Sequence, residues 1–356
     1  MKLIQPLFSG SIDVIGDVHG EFGALRKLTH LLGYSASGHH PEGRKMVFIG
    51  DLVDRGPNSI AVANWVQHLI QNGRAQCVAG NHELNILRTQ QGTQNDQMRH
   101  GNHWYFGHEE ALDPENDGYI HPQQLASPSD QAEIHRFFLE LPLVLEDDSY
   151  RMVHAACNTE SFEQLQAYDA AKIAPTAQES DRHILHAYQY FAQKVMKDTA
   201  QIEDRMTKEL AKQNSNPVKV CTSGLELAAE APYYIKGKMR YTKRQIWWQS
   251  YHGEQNIIFG HYWRRLPPSI GIETERFIPL KERSAPDPFK DIPHDKWLGS
   301  SMCIDYSVGG RYYDRQQNIE EGHTGKSLCA LRITRSNHEK GHHELWFDTG
   351  QRITPN

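Results

Sequence analysis

Five short segments carry the residues able to do chemistry. "GDVHG" offers Asp17 and His19, "GDLVDRG" offers Asp51, Asp54 and Arg55, and "GNHE" offers Asn81, His82 and Glu83. His154 follows "YRMV", and His261 follows "NIIFG". Each segment alone has an ordinary explanation. An Asp-x-His is more often a turn with a helix cap, a lone histidine after a strand is more often core, and Asn81 alone is a turn residue. Together they place a possible metal or phosphate ligand directly after each of five apolar runs, which independent accidents do not do.

The residue types narrow the chemistry. Asp, His and Asn without cysteine suit a hard-to-intermediate ion, Mn²⁺, Fe or Zn²⁺. One ion can take Asp17, His19 and Asp51; a second can take Asp51, Asn81, His154 and His261. Asp51 then bridges, holding the ions about 3.5–4 Å apart as two-metal hydrolysis requires. Water between them is acidified towards neutral pH, so no serine or cysteine nucleophile is needed. Arg55 can clamp two phosphoryl oxygens at once, which lysine does not reproduce. His82 can protonate the leaving oxygen, with Asp54 holding its tautomer. Glu83 either orients Asn81 or simply suits the start of a helix.

The elements that must position these groups alternate. "SIDVIG", "RKMVFIG" and "AQCVAG" read as strands, and "EFGALRKLTHLLG" and "NSIAVANWVQHLIQNG" between them read as helices. Phe22, Leu25, Leu28 and Leu32 share one helical face, as do Ile60, Ala63, Val66 and Ile70, and Gly33 and Gly73 stop the two helices. A further helix is expected near Glu83. This order predicts a largely parallel sheet with ligands beyond its carboxyl ends. Residues 99–129 are polar with little periodicity. "DQAEIHRFFLELP" reads as a helix opening on a capping box of Asp130 and Glu133. "LVLEDDSYRMVHA" reads as a hairpin. From about Asp181 to Gln213, Ile184, Tyr188, Phe191, Val195, Ile202, Met206 and Leu210 predict one long amphipathic helix. "NIIFG", "SMCIDYSVG", "KSLCALRIT" and "HELWFD" return to strands.

Composition bounds the rest. The chain has 356 residues and a formal net charge of -6, so nothing general favours nucleic acid or an anionic membrane. The five cysteines include no C-x-x-C pair, which fits reduced thiols, and no apolar run approaches membrane-spanning length. A cytoplasmic protein is expected. Of the 21 histidines, those of "GHH" (Gly38–His40) and "KGHHE" (Lys340–Glu344) read as solvated turns.

"GDVHG", "GDLVDRG" and "GNHE", followed by His154 and His261, resemble the signature of the phosphoprotein phosphatase family of calcineurin-like metallophosphoesterases. "DVIGDVHG", "HPEGRK", "GDLVDRGPNS" and the late "CIDYSVGGR" with "LCALR" are similar to the bacterial diadenosine-tetraphosphatase-like enzymes and polynucleotide kinase-phosphatase modules. The resemblance implies an α/β fold, a two-sheet β-sandwich flanked by helices, in one domain over 1–356. It implies two divalent ions, Mn²⁺ foremost, on Asp17, His19, Asp51, Asn81, His154 and His261. Arg55 becomes the phosphate clamp, His82 with Asp54 the acid and its orienter, and Asp305 in "ID" a supporting acid. The expected reaction is hydrolysis of phosphomonoesters on protein or small molecules. The alternative is a dinucleoside polyphosphate or a nucleic-acid end. The chain departs from the family at "HAAC" (His154–Cys157) and "GHYW", where Tyr262 and Trp263 could wall the pocket or pack in the core. Arg240, Arg264 and Arg265 are further basic candidates, by default solvated. The insertion over 160–250, with the long helix and "KMRYTKRQIWW", is expected to form a cap over the site.

Overall fold

In the computed structural model, residues 2–90, 102–107, 123–171, 184–235, 238–267, 288–289, 292–336 and 339–355 are described. The strands are β1 (Ile4–Pro6), β2 (Ile12–Ile15), β3 (Lys45–Phe48), β4 (Ala75–Cys77), β5 (Val144–Glu146), β6 (Tyr150–Val153), β7 (Glu226–Ile235), β8 (Lys238–Arg244), β9 (Asn256–Phe259), β10 (Ser301–Cys303), β11 (Cys329–Ser336), β12 (Glu339–Phe347) and β13 (Arg352–Ile353). The helices are α1 (Phe22–Leu31), α2 (Ser59–Gln71), α3 (Asn81–Thr89), α4 (His103–Phe106), α5 (Pro128–Leu139), α6 (Thr159–Ala170), α7 (Ile184–Asp198), α8 (Arg205–Asn214), α9 (Pro217–Ser223) and α10 (Arg311–Gln316).

Two mixed sheets face each other. One has the order β13-β12-β11-β2-β3-β4, the other β1-β5-β6-β9-β10, and β7-β8 stand apart as a two-stranded ribbon. Pairing of β2, β3 and β4 is parallel, as the alternating pattern predicts. Both faces of these strands carry apolar residues, interrupted by Asp13, Lys45 and Gln76, because both faces are covered. Val14 and Val47 point to the inter-sheet core with Met152, Ile258 and Met302. Ile15 and Phe48 point the other way, into the core shared with Leu25 and Leu28 of α1 and Val62 and Val66 of α2. The carboxyl ends of β2, β3, β6 and β9 therefore come out at one edge, and α3 begins there after β4.

Several expectations are corrected. The long helix is two, α7 and α8, because Asp204 accepts the Thr207 amide at 2.7 Å and caps a new start. The segment 181–183 lies outside the described residues. Helix α5 is capped by Ser127, with Asp130 as the acid that closes the box. α3 begins at Asn81. The ribbon β7-β8 was not foreseen. Part of the polar stretch 99–129 folds as α4, while 99–101 and 108–122 lie outside the described residues. His40 is buried rather than solvated and reaches Leu32 O at 3.1 Å, and His343 sits in β12 with its Nε2 2.7 Å from the Tyr150 hydroxyl. Within 160–250, α6 is tied to the sheet edge: Asp169 accepts the Leu3 and Ile4 amides at 2.9 Å. Val218, Val220 and Cys221 of α9 share the helix-side core.

Candidate metal centre

The turns at the strand ends run through the left-handed backbone region. His19, Asp51, Asp54, Arg55 and His261 all have positive φ, between 47° and 70°. Such conformations cost non-glycine residues about 1–3 kcal/mol each and persist where the surroundings over-determine them. Glycine is required beside them. A Cβ at Gly80 would land on Asp51 Oδ1, and one at Gly260 on Asp17 Oδ1.

The side chains converge on Asp51. Its Oδ2 lies 3.4 Å from His154 Nε2, 3.7 Å from His19 Nε2 and 3.8 Å from His82 Nε2. Asp17 Oδ2 is 3.9 Å from His19 Nε2. Asn81 Oδ1 is 2.8 Å from His261 Nδ1 and 3.2 Å from His154 Nε2. Among the described residues two groups thus have metal-ligating spacing: His19, Asp51 and His82, and Asp51, His154 and His261.

The donor set fits cations. His154 Nδ1 donates to Ile49 O at 2.7 Å and His19 Nδ1 to Val53 O at 3.1 Å, so both rings, when neutral, turn a lone pair on Nε2 inwards. His19 Nε2 is buried with no hydrogen-bond partner. The Asn81 amide end lies within 2.8–3.2 Å of the His261 and His154 ring nitrogens; with its nitrogen inwards it donates to both rings, and with its oxygen inwards it could serve as a ligand beside them.

The electrostatics agree. Burial, then Asp305 and Asp51, push the Asp17 carboxyl well above its ordinary range. Burial also raises Asp305, whose Oδ1 accepts the Ser307 amide at 2.8 Å. Burial pushes Asp51 up as well, but His154, His82 and His19 together hold it well below. Burial and then Arg55 depress His19; burial and then Arg244 depress His261. Among the described residues no lysine or arginine forms an ion pair with Asp17, Asp51 or Asp305.

Beside this cluster stand the groups suited to phosphoryl transfer. His82 Nδ1 lies 2.5 Å from Asp54 Oδ2. Asp54 also accepts from Asn102 Nδ2 at 2.7 Å and Trp104 Nε1 at 2.5 Å. Arg55 lies 4.8 Å above the Trp263 ring, with Nη2 3.4 Å from His82 Nε2. Glu83 leaves the Asn81 side chain alone and accepts the backbone amides of Asp51 (2.9 Å), Leu52 (2.8 Å) and Gly80 (2.8 Å). It thereby ties two motif loops together, and burial followed by Asp51 raises its carboxyl to about 7.

Asn102 and Trp104 escaped the sequence reading. Their only signal was a tryptophan in a polar stretch. Tyr262 is 2 % exposed and packs against Trp248 and Phe259, whereas Trp263 is half-buried under Arg55. Arg264 is buried rather than solvated and donates to Cys303 O; Arg240 is exposed on β8.

Residues 10–205, more than half of the chain, match the family model described as calcineurin-like phosphoesterase. The asymmetrical bis(5'-nucleosyl)-tetraphosphatase PrpE of Geobacillus sp. (strain WCH70) is 36% identical over 151 residues, 40% of this chain and 56% of that protein. The protein of the same name from Bacillus subtilis (strain 168) is 40% identical over 83 residues, 22% of this chain and 34% of that protein. The chain thus matches about half, or less, of the length of these relatives. A cold-active protein-tyrosine phosphatase of a psychrophilic Shewanella sp. aligns with all of this chain and 83% of its own at a TM-score of 0.47 and 15% identity. Among the described residues no helix is long and apolar enough to cross a membrane.

Proposed function

Because the chain belongs to the calcineurin-like phosphoesterase family, we propose that it is a dinuclear metal-dependent phosphohydrolase whose substrate is a dinucleoside polyphosphate. The observation that carries hydrolysis is the convergence of Asp51 with His19 and His154, and of Asn81 with His154 and His261, on a pocket of bare lone pairs and excess negative charge. Asp17, His19 and Asp51 would hold one ion, and Asp51, Asn81, His154 and His261 the other. Their oxygen and imidazole chemistry suits Mn²⁺ first, with Fe or Zn²⁺ as alternatives. What two such ions supply when bound is neutralisation of phosphoryl charge and acidification of water.

The chain's own groups do the rest. Arg55, braced on Trp263, presents a planar fork to the phosphoryl oxygens. His82 keeps its Nδ1 on Asp54, so its Nε2 faces the leaving oxygen and can hand over a proton there. His82 also has ligand spacing; its Nδ1 contact with Asp54 is what supports the proton-donor role, and Arg55 Nη2 stands 3.4 Å from its Nε2. Asn102 and Trp104 hold Asp54 in place and so fix the His82 ring.

The substrate class rests on the relatives, which are named for cleavage of bis(5'-nucleosyl) tetraphosphates. They favour the dinucleotide over the phosphoprotein or small-ester substrate expected first, since Arg55 and His82 serve either leaving group. The test is one panel with Mn²⁺-loaded protein: diadenosine tetraphosphate, p-nitrophenyl phosphate and a phosphopeptide. The dinucleotide is expected to show the highest kcat/KM and to yield unequal nucleotide products. Preference for the phosphopeptide or the monoester would overturn the substrate assignment.

A further inference from the structure

Beyond the metal centre, one corner of the chain gathers cations that the chemistry above does not use. Strand β8 alternates, so Arg240, Thr242 and Arg244 leave from one face and Met239, Tyr241 and Lys243 from the other. On that face Thr242 is buried and donates to Glu226, the register neighbour of Arg244 on β7, while Arg240 and Arg244 stay exposed. At its near end Arg244 donates to the carbonyl of His261 at 3.2 Å, directly behind a candidate metal ligand. Arg240 stands four residues further out, about 13 Å along the strand. Helix α8, carrying Lys212, packs on β8 and on α9, and α9, carrying Lys219, packs on α3, which carries Arg88 and starts at Asn81.

Arg88, Lys212, Arg240 and Arg244 are exposed and Lys219 is half-buried. Among the described residues none of them has a carboxylate at ion-pair distance. In a chain of net charge -6, this is a local reversal of sign. Lys219 registers it: burial, then Arg88, with Lys212 and Arg240 adding to them against Glu226, brings its ammonium down to about 8.

We propose that Arg244, Arg240, Lys219 and Arg88 form a subsite for the polyphosphate of a nucleotide, receiving the part of the substrate that leads away from the metal centre. This assignment rests on the dinucleotide reading above. Guanidinium forks and a crowded ammonium are what recognise successive phosphates, and the line begins behind His261.

The test is binding, so it does not depend on turnover. A fluorescent adenosine tetraphosphate is titrated into wild type, Lys219→Met/Arg240→Ala and Lys243→Ala by anisotropy with excess Mg²⁺. The double variant should bind at least about tenfold more weakly, the loss of charged hydrogen bonds to phosphate. Lys243→Ala removes a cation from the opposite face of the same strand, where it pairs with Glu230 at 3.0 Å, and should stay within about twofold. Equal affinity of wild type and double variant, or an equal loss in Lys243→Ala, would overturn the subsite. So would tighter competition at this site by a 5'-phosphorylated oligonucleotide than by adenosine tetraphosphate. Wild type that cleaves p-nitrophenyl phosphate but not the dinucleotide would instead strike the functional reading, while the binding ratio still decides the subsite.

Discussion

Strand β2 has a buried carboxylate within it and another just past its end, and the fold treats them in opposite ways. Asp13 accepts from Arg44 Nη2 at 2.9 Å and Nε at 3.1 Å, from Arg332 Nε at 2.8 Å and Nη2 at 3.1 Å, and from the Tyr34 hydroxyl at 2.8 Å. Burial alone would raise Asp13, but the Arg332 and Arg44 guanidiniums bring it below its ordinary value. Four residues on, Asp17 meets Asp51 and Asp305, and its carboxyl goes the other way. Where negative charge serves structure, the chain neutralises it internally. Where no basic side chain among the described residues answers it, as at Asp17, the proposed metal ions would supply the missing positive charge.

The largest expected effect falls at the unneutralised end. His82→Asn should lower turnover about 10²–10⁴-fold, the range for a lost general acid, with metal content unchanged. Wild-type turnover would remove His82 from its role; loss of metal would make it a ligand.

The next largest falls at the neutralised end. Asp13→Asn leaves two guanidiniums facing a neutral amide and should cost about 3–5 kcal/mol in urea unfolding. The sign with pH follows from the depressed folded value. Asp13's contribution is complete above its unfolded pKa, about 3.9, and is lost as pH falls through the folded value. The gap between wild type and variant should therefore narrow in acid; a widening gap would contradict the pairing.

A smaller change tests the support of the proton donor. Trp104→Phe removes one hydrogen bond to Asp54 and should cost about 1–3 kcal/mol, shared between stability and turnover. An unchanged pH–rate profile alongside lost stability would reduce Trp104 to packing. Smallest, and opposite in sign to Asp13→Asn, is Asp17→Asn in chelator. Relieving one of three crowded carboxylates should leave stability within about 1 kcal/mol of wild type or raise it. A loss as large as that of Asp13→Asn would erase the contrast between the two ends.

What was legible in the sequence follows from where partners lie. Asp17, His19, Asp51, Asn81, His154 and His261 each sit just past a strand, so a strand-like run, with a glycine at all but His154, announces them one at a time. Asp13 sits inside a strand, and its partner Arg332 is on β11, at the far end of the chain. Nothing local distinguishes it from any strand aspartate. Asn102 and Trp104 reach Asp54 from a segment without periodicity. The break between α7 and α8 was readable in principle from Asp204, but seven apolar positions at helical spacing outweighed one cap. The ribbon β7-β8 carries its tyrosines and basic residues without the alternation that marks a half-buried strand.

The most direct test of the contrast counts ions. Chelated protein is reloaded with Mn²⁺, desalted and assayed for metal per chain, in wild type, Asp51→Asn and Asp13→Asn. The expected result is two ions in wild type, at most one in Asp51→Asn, and two in whatever fraction of Asp13→Asn is folded. No ion in wild type, or both ions retained without the Asp51 carboxylate, would contradict the account.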